Sequence, residues 1–354
     1  MSGKRSRKRK SYVGIIVMSL LLVLALAGVG VAYFLLMSEN SVAAGGDVPF
    51  EVEPGTSVVG IANQLEAAGL IDNALIFRIR VRLAEADDKL LAGSYTLQLG
   101  MTYDQLIEEL KKGPPRNVTR VTIPEGRSID RMAVILAESM QFDADDFTTL
   151  ARYGAPDFAE EFPFLIGAFD DSLEGYLFPD TYEFLEEAGP RDVIVTMLRR
   201  FEQVWNELGD PTGPAANMTA AELVVIASLV EMESSLAQER PLVASVIYNR
   251  LAIDRNLQFC STVQFLMPGE ERQRLRLTYA QTQVPSPYNT YLNAGLPPGP
   301  ISNPGKQALD AALHPADTDY MYFVLTGKDG SQTFASTTAE FERARQKSRE
   351  VFGQ

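Results

Sequence analysis

AELVVIASLVEMESSLAQ, residues Ala221–Gln238, is the stretch on which the reading of this chain turns. It holds no Pro or Gly. Thr219 stands ahead of it as an N-cap and Glu222 follows three residues later, the two halves of a capping box. Wound at about 100° per residue, Ile226, Leu229, Val230, Leu236 and Ala237 fall within about 60° of Glu233. Ser228, Glu231, Ser235 and Gln238 fall on the opposite side, with Val224 among them. The spacing therefore predicts a helix over 221–238 whose two glutamates point nearly opposite ways, with only Glu233 on the apolar side. A carboxyl in apolar surroundings loses hydration, so its charged form is disfavoured and its pKa rises. That is the protonation state a general acid needs near neutral pH. A buried structural glutamate paired with an arginine, or a helix exposed at that point, would give the same pattern. The helix alone does not separate these readings.

At 354 residues, 46% of them hydrophobic, the chain can hold two or three domains and a substantial core. Its formal net charge is −14, split unevenly. Residues 1–10 (MSGKRSRKRK) carry six Lys/Arg and no acid, which leaves the remainder at −20. A body this acidic argues against a nucleic-acid surface or an anionic-lipid surface. Tyr12–Met37 is an uncharged run of 26 residues rich in Leu, Val, Ile, Ala and Gly. At about 1.5 Å per residue it can cross a hydrocarbon core of about 30 Å with some tilt. It is longer than the apolar part of a cleavable signal peptide, although Ser41-Val42-Ala43-Ala44 resembles a peptidase site. Basic residues in front and none close behind put the N-terminus in the cytoplasm and the rest outside. The expected location is the cell membrane, single-pass, with the body extracytoplasmic.

Cys260 is the one cysteine, so no internal disulfide can form, and with His314 as the one histidine a zinc site has little to draw on. His314 precedes Pro315 and reads as a helix-end residue; nothing like G-x-S-x-G accompanies it. GxGxxG, Walker A and EF-hand patterns are absent. Chemistry is left to carboxylates, amides and hydroxyls, and neither metal nor cofactor is expected.

The chain divides, by composition and periodicity, into a basic tail (1–10), the apolar helix (11–37), a small polar linker taken as a flexible tether (38–46), an α+β module (47–115), a connecting α+β subdomain (116–190) and a catalytic domain (191–354). Within these, strands are predicted at Phe50–Val52, Gly93–Leu97, Val118–Ile123, Tyr320–Leu325 and Thr333–Ala335. Helices are predicted at Val58–Ala68, Ala74–Leu83, Tyr103–Lys111, Ile129–Ser139, Arg191–Leu208, Glu239–Ile253, Lys306–Leu313 and Thr337–Phe352. Leu173–Phe184 (LEGYLFPDTYEF) is dense in aromatics with an internal Pro and reads as irregular, and Pro285–Pro304 as a long ordered loop. A strand end, a Gly turn, a Ser/Thr cap and an amphipathic helix recur at Pro54-Gly55-Thr56, Gly100-Met101-Thr102 and Pro124–Ser128. That plan resembles LysM-type carbohydrate-binding modules, and a plain packing or spacer domain would share it.

LEGYLFPDTYEF, IASLVEMESS, VIYNRL, Leu257-Gln258, YNTYLNAGLPPGPISNPG and AALHPADTDYMYFV follow one another in that order. Together they resemble the endolytic murein transglycosylases of the YceG-like family, over residues 47–354 and including the single N-terminal anchor. The expected fold class is α+β: an N-terminal transmembrane helix, a LysM-like module and a mixed α/β, lysozyme-like catalytic domain around a central catalytic helix. The resemblance implies cleavage of the β-1,4 bond between N-acetylmuramic acid and N-acetylglucosamine. In that reaction the muramyl 6-hydroxyl replaces water and leaves a 1,6-anhydro end. It implies one catalytic carboxyl, acid and then base, rather than the usual pair. Glu233, followed by Ser234, resembles the Glu-Ser signature of other lytic transglycosylases, with Glu231 as the alternative or as a supporting residue. Implied partners are peptidoglycan strands and the membrane, with peptidoglycan synthases as candidates and no nucleic acid.

The chemistry of sugar recognition adds Asn249, Gln258, Tyr288, Asn289 and Thr290 as amide and hydroxyl groups for substrate. Arg250 is a candidate for a lactyl or peptide carboxylate, and Tyr288 and Tyr291 for stacking on pyranose faces. Each of these also has an ordinary packing explanation. Family members often have Asp-Pro-Thr-Val where this chain has Cys260-Ser261-Thr262-Val263, and histidines where Gln332 and Phe341 stand. Two rival readings remain at this point. One is a non-catalytic peptidoglycan-binding scaffold. The other is a muramidase that admits water and needs a second carboxylate, for which Glu174, Asp180 and Glu222 are the candidates.

Overall fold

Alternation in the segment around Phe50 becomes strand β1 (Asp47–Val52), whose Phe50 and Val52 are buried while their neighbours face outward. The computed structural model describes residues 16–28, 30, 33, 37–115, 117–267 and 277–353. The expected basic tail lies outside these residues, as does part of the apolar run. Residues 16–28 are helical with their apolar side chains exposed. Among the described residues no helix is long and apolar enough to cross a membrane, so a span over Tyr12–Met37 rests on the composition of that run. The fold is α+β, with three two-stranded antiparallel sheets among the described residues and two compact units, 1–116 and 117–354.

In the first unit, helices α1 (Val58–Ala67) and α2 (Ala74–Leu83) connect β1 to β2 (Gly93–Gln98), and α3 (Tyr103–Lys112) follows. β1 and β2 pair with Phe50 opposite Tyr95, so one sheet face covers Ile61, Leu65, Phe77, Val81 and Leu106. Ser57, Asn73 and Thr102 cap the three helices with their side chains, as their positions in the sequence require. The linker 38–46 differs from the tether that its composition predicts. The Asn40 amide donates to the carbonyls of Leu70 (2.7 Å) and Met101 (2.8 Å), and Gly45 N–H donates to Leu99. Small polar residues leave the backbone free, and here these bonds lay it along the module.

In the second unit β3 (Val118–Thr122) pairs with β4 (Thr181–Leu185), Val121 opposite Tyr182. β4 comes from the end of LEGYLFPDTYEF, where its aromatic density hid the alternation. Around this pair lie α4 (Ile129–Ser139), α5 (Ala144–Tyr153) and α6 (Pro190–Leu208), the last burying Val193, Met197, Leu198, Phe201 and Val204 along one stripe. Next come the central helix α7 (Ala220–Glu233), α8 (Arg240–Leu251), the short α9 (Cys260–Gln264) and α10 (Lys306–Leu313). A hairpin of β5 (Tyr322–Leu325) and β6 (Gln332–Ala335) and the closing helix α11 (Thr338–Phe352) complete the unit.

Helix α7 corrects two features of its sequence reading. It is apolar all round, Leu223–Val230 being buried on every side, so the face carrying Ser228 and Val224 is as buried as the other. Ser228 is satisfied there: its hydroxyl donates to Val225 O (2.7 Å) and accepts from Ile301 N–H (3.1 Å). The helix also stops at Glu233 rather than Gln238. Ser234 turns extended (φ −131°, ψ 122°), and Gln332 Nε2 meets the released Glu233 carbonyl at 2.7 Å. Leu236 and Ala237 therefore do not share a helical face with Glu233.

Asn303 holds the loop Pro285–Pro304 in place. Its Oδ1 accepts from Gly175 and Leu177 N–H, each at 2.9 Å, and its Nδ2 donates to Arg127 O (2.9 Å) and Glu174 Oε1 (2.7 Å). Three of the four bonds are out of water and the one to Arg127 O is partly so, Asn303 itself being fully buried. Asn303→Leu strands the Gly175 and Leu177 N–H groups and removes one of the bonds to Arg127 O and to Glu174, and is expected to lower the unfolding free energy by about 3 kcal/mol or more. Urea unfolding measures this, and an unchanged midpoint would refute the role.

Candidate active site

Glu233 is the last residue of α7, and its carboxyl meets the N-terminal turn of α9. Oε1 accepts the Ser261 hydroxyl at 2.6 Å and Ser261 N–H at 3.4 Å. Burial pushes this carboxyl above its ordinary value of 4.5, against the pull of the two Ser261 bonds and of the more distant Arg250. Among the described residues no guanidinium or ammonium forms an ion pair with it. Tyr291 and Cys260 close the same corner, with the phenol 3.1 Å from the thiol. Burial raises both, and the charge of Glu233 raises both further.

Glu231 has a different environment. Its side chain is 7% exposed and its Oε1 pairs with Arg240 Nη2 at 2.8 Å, Arg240 itself being 8% exposed. Oε2 accepts Gly305 N–H at 3.0 Å, the free end of α10. Arg240 reaches on to Glu125 Oε2 and Gln307 Oε1, each at 3.4 Å. The expectation that Glu231 faces away from the apolar side fails, since both glutamates are sequestered. What separates them is the partner: a buried cation for Glu231, a neutral hydroxyl for Glu233.

Several predicted substrate groups are engaged inside the protein. Asn249 Nδ2 donates to Thr318 O and Tyr320 O (2.8 and 2.9 Å), and Asn289 Nδ2 to Thr282 O and Val284 O (3.0 and 2.8 Å). Thr290 Oγ1 accepts Phe259 N–H and bonds Thr262. Arg250 is buried, donates to Met321 O (2.7 Å) and Leu257 O, and lies over the rings of Phe259 and Tyr322. Burial brings its pKa down to about 10. These four residues set the loops that flank Glu233. Gln258 is exposed at φ 54°, with its backbone N–H tied to Thr290 O at 3.0 Å. Tyr288 and Tyr291 are half-buried, Tyr288 against Phe265 and Phe169.

Ser261 also lines a cleft of about 110 Å³ with Arg127, Arg131, Met232, Gln264 and Phe265. Phe265 borders a second, 300 Å³ depression with Tyr288, Phe169, Arg152 and Asp170. The two hollows meet at that ring. Sequence reasoning passed over Ser261, Arg127, Arg240 and Asn303, because none lies on a periodic face. The Leu-Gln-x-Cys-Ser string beside the family motif is the signal that contained Ser261. Glu174, Asp180 and Glu222 are engaged elsewhere. Glu174 accepts Ile129 N–H and the Asn303 amide, Asp180 pairs with Arg200 at 2.8 Å, and Glu222 closes the cap at the far end of α7.

An α+β protein with one unpaired, desolvated carboxyl at the end of a buried helix is thus defined. The YceG-like family matches residues 50–347, and the chain belongs to that family. It is 32% identical over 314 residues to an endolytic murein transglycosylase of Bacillus subtilis (strain 168), covering 85% of this chain and 84% of that protein. The identity to the endolytic murein transglycosylase of Streptococcus pneumoniae R6 is also 32% over 314 residues, covering 82% of this chain. This chain spans just over half, 56%, of that streptococcal protein. The 2.6 Å crystal structure of a YceG-like protein from Listeria monocytogenes superposes with a TM-score of 0.56 at 30% identity, over 84% of this chain and 98% of that one.

The two glutamates are expected to separate in stability measurements. Glu231→Ala leaves Arg240 buried without its closest partner and should cost about 3 kcal/mol or more in unfolding free energy. For Glu233 the native pKa is raised, so the native state binds more protons than the unfolded chain and stability falls as pH rises above about 4.5. Glu233→Gln lacks that titration. It should melt higher than the parent at pH 7, with the gain vanishing below about pH 4. Melting curves from pH 3 to 8 check both, and a destabilised Glu233→Gln at pH 7 contradicts the assignment of its proton.

Proposed function

We propose that this chain is a membrane-anchored endolytic peptidoglycan lytic transglycosylase, with Glu233 as its acid and then its base. The protonated carboxyl of Glu233 gives its proton to the oxygen bridging N-acetylmuramic acid and N-acetylglucosamine as that bond breaks. The carboxylate so formed takes the proton of the muramyl 6-hydroxyl while that oxygen bonds to C1, closing the 1,6-anhydro ring. Proton and electron pairs balance within the one residue and the one strand.

The observation that carries this reading is the isolation of Glu233: raised by burial, held by Ser261, free of any paired cation among the described residues, and beside an open cleft. Names of the Bacillus and Streptococcus relatives support the same substrate. A muramidase that uses water has less support, because it needs a second carboxylate. Glu222 lies about 16 Å along the helix axis from Glu233, and Asp180 is held by Arg200. The apolar run Tyr12–Met37 would hold the body outside the membrane, and the 47–115 module, LysM-like in plan, would meet glycan. Peptidoglycan synthases are the protein partners in keeping with a cut made during wall assembly.

The test is mass analysis of sacculi digested with the purified protein. Glu233→Gln is expected to lower anhydromuramyl ends by about 10²–10⁴-fold with its fold intact. Parent-level yield from that variant defeats the assignment. Reducing ends in place of anhydro ends identify a hydrolase, and binding without any cut identifies a scaffold.

A further inference from the structure

Among the described residues, the cleft beside Ser261 is lined by two arginines, Arg127 and Arg131, and by no acidic residue. In a chain of formal net charge −14 that is an uncommon surface, and its field favours an anion. Arg127 is the residue on which the inference turns, because its backbone and its side chain are treated so differently. Its carbonyl accepts two bonds from Asn303, from the backbone N–H at 3.0 Å and from Nδ2 at 2.9 Å. Gly126 N–H returns a bond to Asn303 O at 2.9 Å, an antiparallel bridge. Gly126 itself takes φ +74°, and a Cβ placed there would lie 3.5 Å from both Glu231 Cγ and Met232 Sδ. The turn is therefore fixed against the segment that ends in Glu233.

The Arg127 side chain, by contrast, is exposed, and among the described residues it has no ion pair. Two other arginines near this segment are spent. Arg240 is buried on Glu231, and Arg250 is buried on two backbone carbonyls. The carboxylate-reading role that the sequence suggested for Arg250 is thus unavailable to it. An unspent guanidinium on a firmly held turn, lining the cleft that also holds Ser261, the hydroxyl partner of Glu233, can fill that role by two parallel N–H···O bonds to a carboxylate.

We propose that Arg127 is a specificity-determining residue that binds a carboxylate of the glycan strand, carried on the lactyl group or the stem peptide of the muramyl unit next to Glu233. The identity of the strand rests on the transglycosylase reading above; the anion preference of the cleft does not.

The test uses the full chain, as parent, Arg127→Ala and Arg127→Lys, with four probes. These are peptide-free glycan strands with free lactyl carboxylates, the same strands converted to methylamides, and peptide-bearing strands with and without that conversion. Dissociation constants and anhydro ends are measured separately. The parent is expected to bind a carboxylate form about tenfold tighter than its methylamide, with a preference that shrinks in high salt. Arg127→Ala should bind both forms alike, and Arg127→Lys should keep part of the preference. A preference seen with the first probe assigns the lactyl group, and one seen with peptide-bearing strands alone assigns the stem. Equal binding of both forms by the parent in every arm overturns the proposal, and so does an undiminished preference in a natively melting Arg127→Ala. An Arg127-dependent preference without anhydro ends supports the anion site while refuting the transglycosylase reading.

Discussion

The buried pair Glu231–Arg240 is the constraint on which the second unit depends. Two charges 2.8 Å apart, both nearly out of water, stabilise a fold only if their remaining donors and acceptors are met. Here Gly305 N–H fills the second carboxylate oxygen, and Glu125 and Gln307 take the other guanidinium contacts. Four segments therefore converge: the end of α7, the start of α8, the turn before Arg127 and the first turn of α10. A Cβ at 305 would fall 1.9 Å from Glu125 Oε1, so any larger residue there must displace the Glu125 carboxylate from Arg240. Arg240 Nε has no partner among the described residues, a cost the rest of the network offsets.

By fixing the end of α7, this pair also fixes what surrounds Glu233 two residues later. The charge of Arg240 is spent on Glu231, so it does not stabilise the neighbouring carboxylate. Glu233 stands at the C-terminal end of a buried helix, where the negative end of the macrodipole opposes a further negative charge. Gln332 Nε2 occupies its carbonyl and holds the helix end against fraying. Arg250, the guanidinium that acts on Glu233, is already divided between two carbonyls and two aromatic rings. Position, desolvation and the diversion of nearby cations all favour the protonated acid.

Local signals made much of this legible. Helices such as 74–83, 129–139 and 306–313 follow from periodicity, the first also from its cap at Asn73. The acidic candidate at Glu233 followed from the periodicity of 221–238. What escaped was set by long-range partners. The stop at Glu233 depends on Gln332, 99 residues away. Asn249, Asn289 and Thr290 have the right chemistry for sugars, but a sequence does not say whether an amide faces a cleft or a backbone carbonyl. Glu231 was misplaced because a helix apolar all round has no polar face to orient it. Arg127 gave no signal, since its position comes from a bridge to Asn303, 176 residues on.

The departures at 260 and 261 bear on the same proton. Where family members often carry Asp-Pro, this chain has Cys260-Ser261. A carboxylate at 260 would be a like charge beside Glu233 and would raise its pKa. A thiol held neutral by burial exerts no such push. Proline at 261 has neither hydroxyl nor N–H to donate, whereas Ser261 supplies both to Glu233 Oε1. Each change pulls the acid down relative to the Asp-Pro arrangement. Burial is then the force that raises Glu233 in this chain, as it raises Tyr291 and Cys260 around it. Ionising any one of the three disfavours ionising the others, so each group of the corner holds its neighbours' protons more tightly once it carries charge.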